Sequence, residues 1–267
     1  MMNIKQQYEK APKTWILKIA ALVIVLFLIV WSGSTMKFNG LKGNGLKVAN
    51  GIVSGILHPD WSLFNLTHTG IPYLLLETIC IAFLGTLIGA LLAIPLAFLA
   101  SDKVVGKTIG YISRMLIMAI RTIPSFVYGL MFIRVSGPGA FAGLLTMSVT
   151  SIGMVARMYV ESIEDLDTRI LESLDAAGCT AFQKVRYGIL PQLFTNFVST
   201  AIYRFDINLR DATVLGLVGA GGIGAPLIFA MGSYKWNQVG AILVGLIILV
   251  LLVEYISTRL RVRLARG

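Results

Sequence analysis

Long apolar runs separated by short polar blocks organise this chain. The runs cover about Trp15–Met36, Ile71–Ala100, Ile109–Val135, Phe141–Val160, Gln192–Val218 and Val239–Ser257. About 20 apolar residues in a helix cross the roughly 30 Å hydrocarbon core of a bilayer. The pattern predicts an all-α integral membrane protein with about six transmembrane helices. The run Ile71–Ala100 is long enough to tilt or to extend past the bilayer.

The polar blocks set the topology. Lys5, Lys10, Lys13 and Lys18 flank the first run, and Trp15 and Trp31 suit its two interfaces, so the N-terminus belongs inside. Residues 37–70 belong outside, although they carry three lysines. Their apolar stretches at Val48–Leu57 and Trp61–Leu66 suggest a surface-lying segment. Lys103 and Lys107 mark an inner loop, and Gly137, Pro138 and Gly139 an outer turn. The block Glu161–Pro191 carries Arg157, Arg169, Lys184 and Arg186 in or beside it, and returns inside. Arg259, Arg261, Arg263 and Arg266 close the chain on the same side. Two inner ends require an even number of crossings, which agrees with six. The chain divides into an inner tail (1–14), a first anchor (15–36), an outer segment (37–70), a main membrane domain (71–258, with the inner loop at about 161–191) and a basic tail (259–267).

Composition agrees. The 267 residues are 56% hydrophobic and only 13% charged, with mean hydropathy +0.80. A soluble domain carries about 25% charged residues. The net charge of +10 lies beside apolar runs, which favours basic flanks in a membrane protein over nucleic-acid binding. Cys80 and Cys179 form neither a disulfide framework nor a metal pattern. His58, Asp60 and His68 have no recognisable ligand spacing. No A-x-A site follows the first run, so it reads as an uncleaved anchor.

The inner loop, RILESLDAAGCTAFQKVRYGILP, has its own local logic. Glu172–Ala177 favours helix. Gly178 can end that helix in the left-handed region. Thr180 and Gln183 form a capping box that starts a second helix, and Pro191 suits the first turn of the next one. The second helix, about ten residues, is too short to stand alone in water. Phe182, Val185 and Leu190 give it an apolar side. It packs either on its own bundle or on a partner, and spacing alone leaves both open.

Two motifs mislead. Gly219, Gly221, Gly222 and Gly224 lie in GAGGIG, which fits G-x-G-x-x-G. The only later carboxylate, Glu254, lies inside the last span, so a dinucleotide site is rejected. A loosened backbone at membrane depth is tolerated where it lines a cavity or is buried in protein. Ser101–Thr108 approximates a phosphate-binding loop, but serine replaces the first glycine and no strand precedes it. Any ATP and magnesium must therefore bind in a separate subunit.

Charges also occur within the spans. At 100° per residue, Arg204, Asn208 and Asp211 share one helix face, and Asp206 and Arg210 the nearly opposite one. These either pair internally or line a polar path that an anion can follow. Arg114, Arg121 and Tyr128 share a face of the third span. Their counter-charges are expected from Asp206, Asp211, Glu77 or an anionic solute. Arg121 lies near Pro124, where a kink frees backbone groups.

The loop resembles the signature of permease subunits of binding-protein-dependent ABC importers: Glu-Ala-Ala, three residues, Gly, nine residues, Ile, one residue, Leu-Pro. Glu172, Gly178, Leu190 and Pro191 fall in register; Ser173 and Leu174 replace the alanines, and Gly188 replaces the isoleucine. Tyr203–Gly224 and Arg121–Phe132 resemble the phosphonate-importer permeases of the same class, and the likeness runs from Leu74 to Leu260. The resemblance implies the transmembrane fold of a type I importer, with a coupling helix that seats in a cytoplasmic ATPase through Glu172, Ala177, Gly178, Phe182, Leu190 and Pro191. Arg121, Arg204, Asp206, Asn208, Arg210 and Asp211 are candidates for the solute path, and the glycines 219, 221, 222 and 224 for a gate. No catalytic residue and no metal site is expected in this chain. Implied partners are a second copy of the chain, two ATPase subunits and an external phosphonate- or solute-binding protein, all at a bacterial inner membrane. An ATP-independent carrier and an intramembrane enzyme are the competing classes. No internal repeat supports the first, and no histidine within a span supports the second.

Overall fold

The computed structural model describes residues 14–35 and 45–266. The predicted inner tail up to residue 13, the start of the outer segment at residues 37–44, and Gly267 lie outside the described residues. Among the described residues all regular structure is helical.

The described residues fall into two compact units, divided between Ala49 and Asn50. The first holds α1 (Thr14–Thr35), 22 residues long and apolar enough to cross a membrane. Its last turn closes with Ser34 and Thr35 hydroxyls donating to the Trp31 carbonyl at 2.8 Å each.

Helix α2 (Gly45–Leu57) falls in the predicted outer segment and is amphipathic. Within the second unit it lies on the start of the last span. Gly55 and Gly240 touch backbone to backbone, leaving no room for a Cβ on either. The Asp60 N–H donates to the Asn237 carbonyl at 3.0 Å.

The membrane core pairs α3 (Ile71–Ala100) with α7 (Ala140–Glu164). Gly85 lies against Met147, and Gly89 against Ser151, so the two helices run parallel with small residues at the seam. The chain must cross back between them. It does so through the turn α4 (Asp102–Val105), α5 (Lys107–Thr122) and α6 (Ser125–Ser136). The continuous third span read from sequence is therefore bent, by 82° between α5 and α6. Pro124 has no N–H to continue α5, and it holds Ile123 extended at φ −86°, ψ 122°.

After the inner loop, α10 (Leu190–Gly216) runs antiparallel to α3, and α12 (Trp236–Arg266) antiparallel to α10. With 27 residues, about 40 Å, α10 is long enough to span. It differs from the other spans in carrying Arg204, Asp206, Arg210 and Asp211. Between α10 and α12 the sequence pattern left residues 225–238 unassigned. They hold α11 (Gly224–Gly232), whose nine residues are too few to cross.

Candidate functional site

The inner loop is built by local hydrogen bonding. Asp167 caps α8 (Thr168–Ala176) by accepting the Arg169 N–H at 3.0 Å. That bond, with the Arg169 side chain, holds the Asp167 carboxyl below its ordinary range. At the other end Gly178 has φ +73°. Its N–H reaches the Asp175 carbonyl at 2.9 Å, and the Cys179 N–H reaches that of Leu174 at 3.0 Å. This pair of bonds is the left-handed helix stop expected of Gly178. The capping box forms as well: Thr180 N–H donates to Gln183 Oε1 at 2.8 Å, and Gln183 N–H to Thr180 Oγ1 at 3.4 Å.

Beyond the box the structure departs from the expected break. The turn α9 (Ala181–Gln183) continues through a π-helical stretch, Lys184–Ile189, directly into α10. Pro191 does lie in the first turn of α10, but that helix does not start afresh. Pro191 cannot donate, and its ring would crowd the carbonyl four residues back. The wider turn relieves this: Leu190 N–H bonds to the Val185 carbonyl, and Gln192 Nε2 donates to the Gly188 carbonyl at 2.8 Å.

Lys184 pairs with Asp175 across the loop, and Leu174 folds onto Gly188, where any Cβ would overlap its Cδ1. Leu174 and Gly188 are two of the three positions where the chain departs from the loop signature. A leucine replaces the small alanine, and a glycine replaces the bulky isoleucine facing it. Phe182 and Tyr187 are left 71% and 66% exposed. Glu172, Ala177 and Gly178 are exposed as well.

The charged stretch of α10 presents two faces. Arg210 bonds Asp206 at 2.8 Å and lies 3.5 Å from Glu254 of α12. Internal pairing therefore holds on that face. On the other, Arg204 is buried without a carboxylate in ion-pairing range among the described residues. It donates instead to Ser151 Oγ and Thr150 Oγ1, both at 3.1 Å, and lies 3.0 Å from Met154 Sδ. Asn208 Nδ2 donates to Thr86 Oγ1 at 2.8 Å and Ser151 Oγ at 2.7 Å. Ser151 thus joins Arg204 and Asn208 at mid-depth. Its role was illegible in sequence, because a serine inside an apolar helix has no distinctive spacing. Asp211 is half-buried.

Counter-charges for α5 come from elsewhere than expected. Arg114 pairs with Glu164, and with Asp102 at 3.1 Å, and donates to the Ala100 carbonyl at 2.9 Å. Asp206, Asp211 and Glu77 do not serve it. Sequence spacing overlooked Asp102 and Glu164 because they belong to helix ends that only the packing brings to α5. The bend also removes Tyr128 from the shared face of Arg114 and Arg121. Its hydroxyl instead donates to the Ile120 carbonyl at 3.1 Å and braces the elbow.

The glycine-rich loop is packed against protein, with Ala220 and residues 222–224 buried and Gly219 and Gly221 half-buried. Gly219, Gly221 and Gly222 have φ +95°, +82° and +72°. Ile223 N–H donates to Thr78 Oγ1 at 3.0 Å, and the Gly219 carbonyl accepts from Gly139 N–H at 2.8 Å. Gly224 abuts Gly216 and the Thr213 carbonyl, where a Cβ would not fit.

Comparison with known proteins matches this arrangement. The chain is 31% identical over 245 residues to the phosphite transport system permease protein PtxC of Stutzerimonas stutzeri, covering 91% of this chain and 87% of that one. It is 31% identical over 192 residues to the phosphate-import permease protein PhnE of Mycolicibacterium smegmatis, covering 72% of this chain and 36% of that protein. The fold superposes on a chain of the MetNI methionine ABC transporter in an inward-facing conformation, with TM-score 0.62 and 23% identity, covering 71% of this chain and 94% of that one. Residues 85–267 match the family described as binding-protein-dependent transport system inner membrane component. With its apolar helices, its capped inner loop and its buried glycine turn, the chain belongs to that family, the permease subunits of type I ABC importers.

Proposed function

We propose that this permease forms the membrane path for phosphonate or a related small phosphorus oxyanion. It works as a homodimer with two cytoplasmic ATPase subunits, which bind ATP and magnesium, and an external solute-binding protein delivers the solute. The bilayer is a bacterial inner membrane with both chain ends and the loop cytoplasmic.

The observation that carries this reading is the inner loop. Local bonds cap α8 at both ends and start α9 with its own box, yet Phe182 is left 71% exposed. An exposed aromatic side chain gains by burial against a partner surface, and an ATPase groove supplies one. Glu172, Ala177, Gly178, Phe182, Leu190 and Pro191 then transmit ATP-driven movement into α10. The solute class is supported by relatives named for phosphite and phosphate transport, and by arginines whose planar guanidinium suits paired oxygens. Arg121, Arg204, Asp206, Asn208, Arg210 and Asp211 line the route, and the bend at glycines 219, 221, 222 and 224 gates it.

The test is uptake of labelled methylphosphonate by vesicles containing permease, ATPase and binding protein. Uptake is expected with ATP and not without it. Equal uptake by the permease alone, without nucleotide, would make it an ATP-independent carrier and overturn the proposal.

A further inference from the structure

Helices α5 and α7 line a cavity of about 240 Å³, open on one side where Arg121 and Arg157 are exposed, at the inner-loop end of the bundle. Its walls are two matching stripes: four positions of α5 ending at Arg114 and Arg121, and four of α7 ending at Arg157 and Glu164. Both follow i, i+3, i+4, i+7, so each presents a single face.

Charge is unevenly spread along the cavity. At the mouth, Arg114 is held by Asp102 and Glu164. Two turns deeper, about 10 Å along α5, Arg121 has no carboxylate in ion-pairing range among the described residues. Its stem lies across Gly153, where a Cβ would sit 2.9 Å from Arg121 Cγ. One turn on from Gly153 is Arg157, paired with Glu161 at 2.6 Å in an exposed i, i+4 bridge. Of the three arginines lining the cavity, Arg121 is therefore the one without a carboxylate in range among the described residues.

An unpaired guanidinium at membrane depth is costly and usually functional. Its fork geometry favours a ligand that offers two oxygens side by side. An exposed bridge such as Arg157–Glu161 is weak enough to exchange partners. At about 30 Å³ per water, the cavity has room for a small anion with part of its hydration shell.

We propose that this cavity binds a small tetrahedral phosphorus oxyanion, held bidentately by Arg121, with Arg157 exchanging Glu161 for the ligand. The proposal rests on the importer reading only for the choice of phosphorus chemistry. A free anion and a lipid phosphate share that chemistry; the free anion is the assigned ligand, because the two stripes face each other and offer it guanidinium groups from both helices.

The experiment measures binding of radiolabelled inorganic phosphate, with methylphosphonate as competitor, to the nucleotide-free permease–ATPase complex in phosphatidylcholine nanodiscs. Wild type is expected to bind saturably. Arg121→Ala should bind at least tenfold more weakly, Arg121→Lys should bind in between, and Arg134→Ala, which removes the same charge outside the cavity, should match wild type. Assembly is checked by gel filtration, and Arg121→Lys keeps the stem if the alanine variant fails to assemble. Equal binding by wild type and Arg121→Lys would overturn the bidentate assignment, and equal binding by Arg121→Ala would overturn the site. Loss of phosphate binding when a third of the lipid is phosphatidylglycerol would assign the cavity to a lipid headgroup and overturn the free-anion reading. ATP-dependent uptake is measured on the same purified complex reconstituted, with the binding protein, into sealed vesicles. Its absence with binding intact sinks the importer reading, whereas uptake with Arg121-independent binding sinks only the site.

Discussion

Restoring the isoleucine of the loop signature at Gly188 should damage this loop, and trimming Leu174 should repair it. In the structure Leu174 Cδ1 occupies the space that a Cβ at position 188 needs. Forcing extra methylenes into a packed contact costs about 1–3 kcal/mol. Leu174 is only partly buried, and its end can swing aside for about 0.5–1.5 kcal/mol. Against this, isoleucine is the better helix former by roughly 0.5 kcal/mol. Gly188→Ile alone should therefore destabilise the loop by about 1–2 kcal/mol. Leu174→Ala alone should cost a similar amount, about half the 2–5 kcal/mol of a fully buried leucine. Together the two changes exchange bulk across the contact and should nearly cancel, a coupling of about 2–3 kcal/mol and within the usual range for touching residues. Amide hydrogen exchange over residues 172–190, in the assembled complex in nanodiscs, reads this directly, because about 1.4 kcal/mol is tenfold in an opening constant. Each single variant should exchange about tenfold faster than wild type, and the double variant within about threefold of it. If the double variant exchanges as fast as the worse single one, Leu174 and Gly188 are not packing partners and the compensation argument fails.

Gly178 separates backbone strain from partner contact. Among the described residues no atom beyond its chain neighbours lies within 4 Å of a Cβ built there, so on the coupling proposal any dependence on side-chain size comes from the docked ATPase. Gly178→Asn, which tolerates positive φ, should keep most uptake, whereas Gly178→Leu should leave ATP hydrolysis running and uptake lost; normal uptake by the leucine variant would refute coupling at this elbow. Arg210→Ala leaves the Asp206 carboxylate buried and unpaired, which costs about 3–5 kcal/mol, so it should assemble poorly unless combined with Asp206→Asn. If the double variant assembles and transports normally, Arg210 is only a structural partner; a tenfold or greater fall in uptake is expected. The depressed Asp167 pKa means its cap contributes fully above the ordinary value of 3.8 and is lost only as pH falls through the lower folded value. Acidifying from pH 7 to pH 5 should leave exchange at the start of α8 unchanged relative to Asp167→Asn, as nuclear magnetic resonance of labelled loop amides can test.

Much of the architecture is written locally in the chain. Hydropathy places four of the predicted crossings in helices long and apolar enough to span, and the stop at Gly178, the box of Thr180 with Gln183 and the pairing of Asp206 with Arg210 each form between residues within a few positions of one another. Such bonds need no distant segment, so spacing along one helix is enough to foresee them. Other features depend on how helices register against each other, and only the folded bundle decides them. Arg114 takes Asp102 and Glu164, and Arg204 takes hydroxyls of Thr150 and Ser151, because α5, α7 and α10 meet at particular depths. The 82° elbow shows the difference within a single feature: Pro124 announces a break, but its angle depends on the helices packed around it. Leu174 and Gly188, fourteen positions apart, look like two unrelated lapses from a motif until the π-helical turn at Lys184–Ile189 brings them face to face. A linear pattern records what each residue prefers; three-dimensional packing decides which neighbour is there to satisfy it.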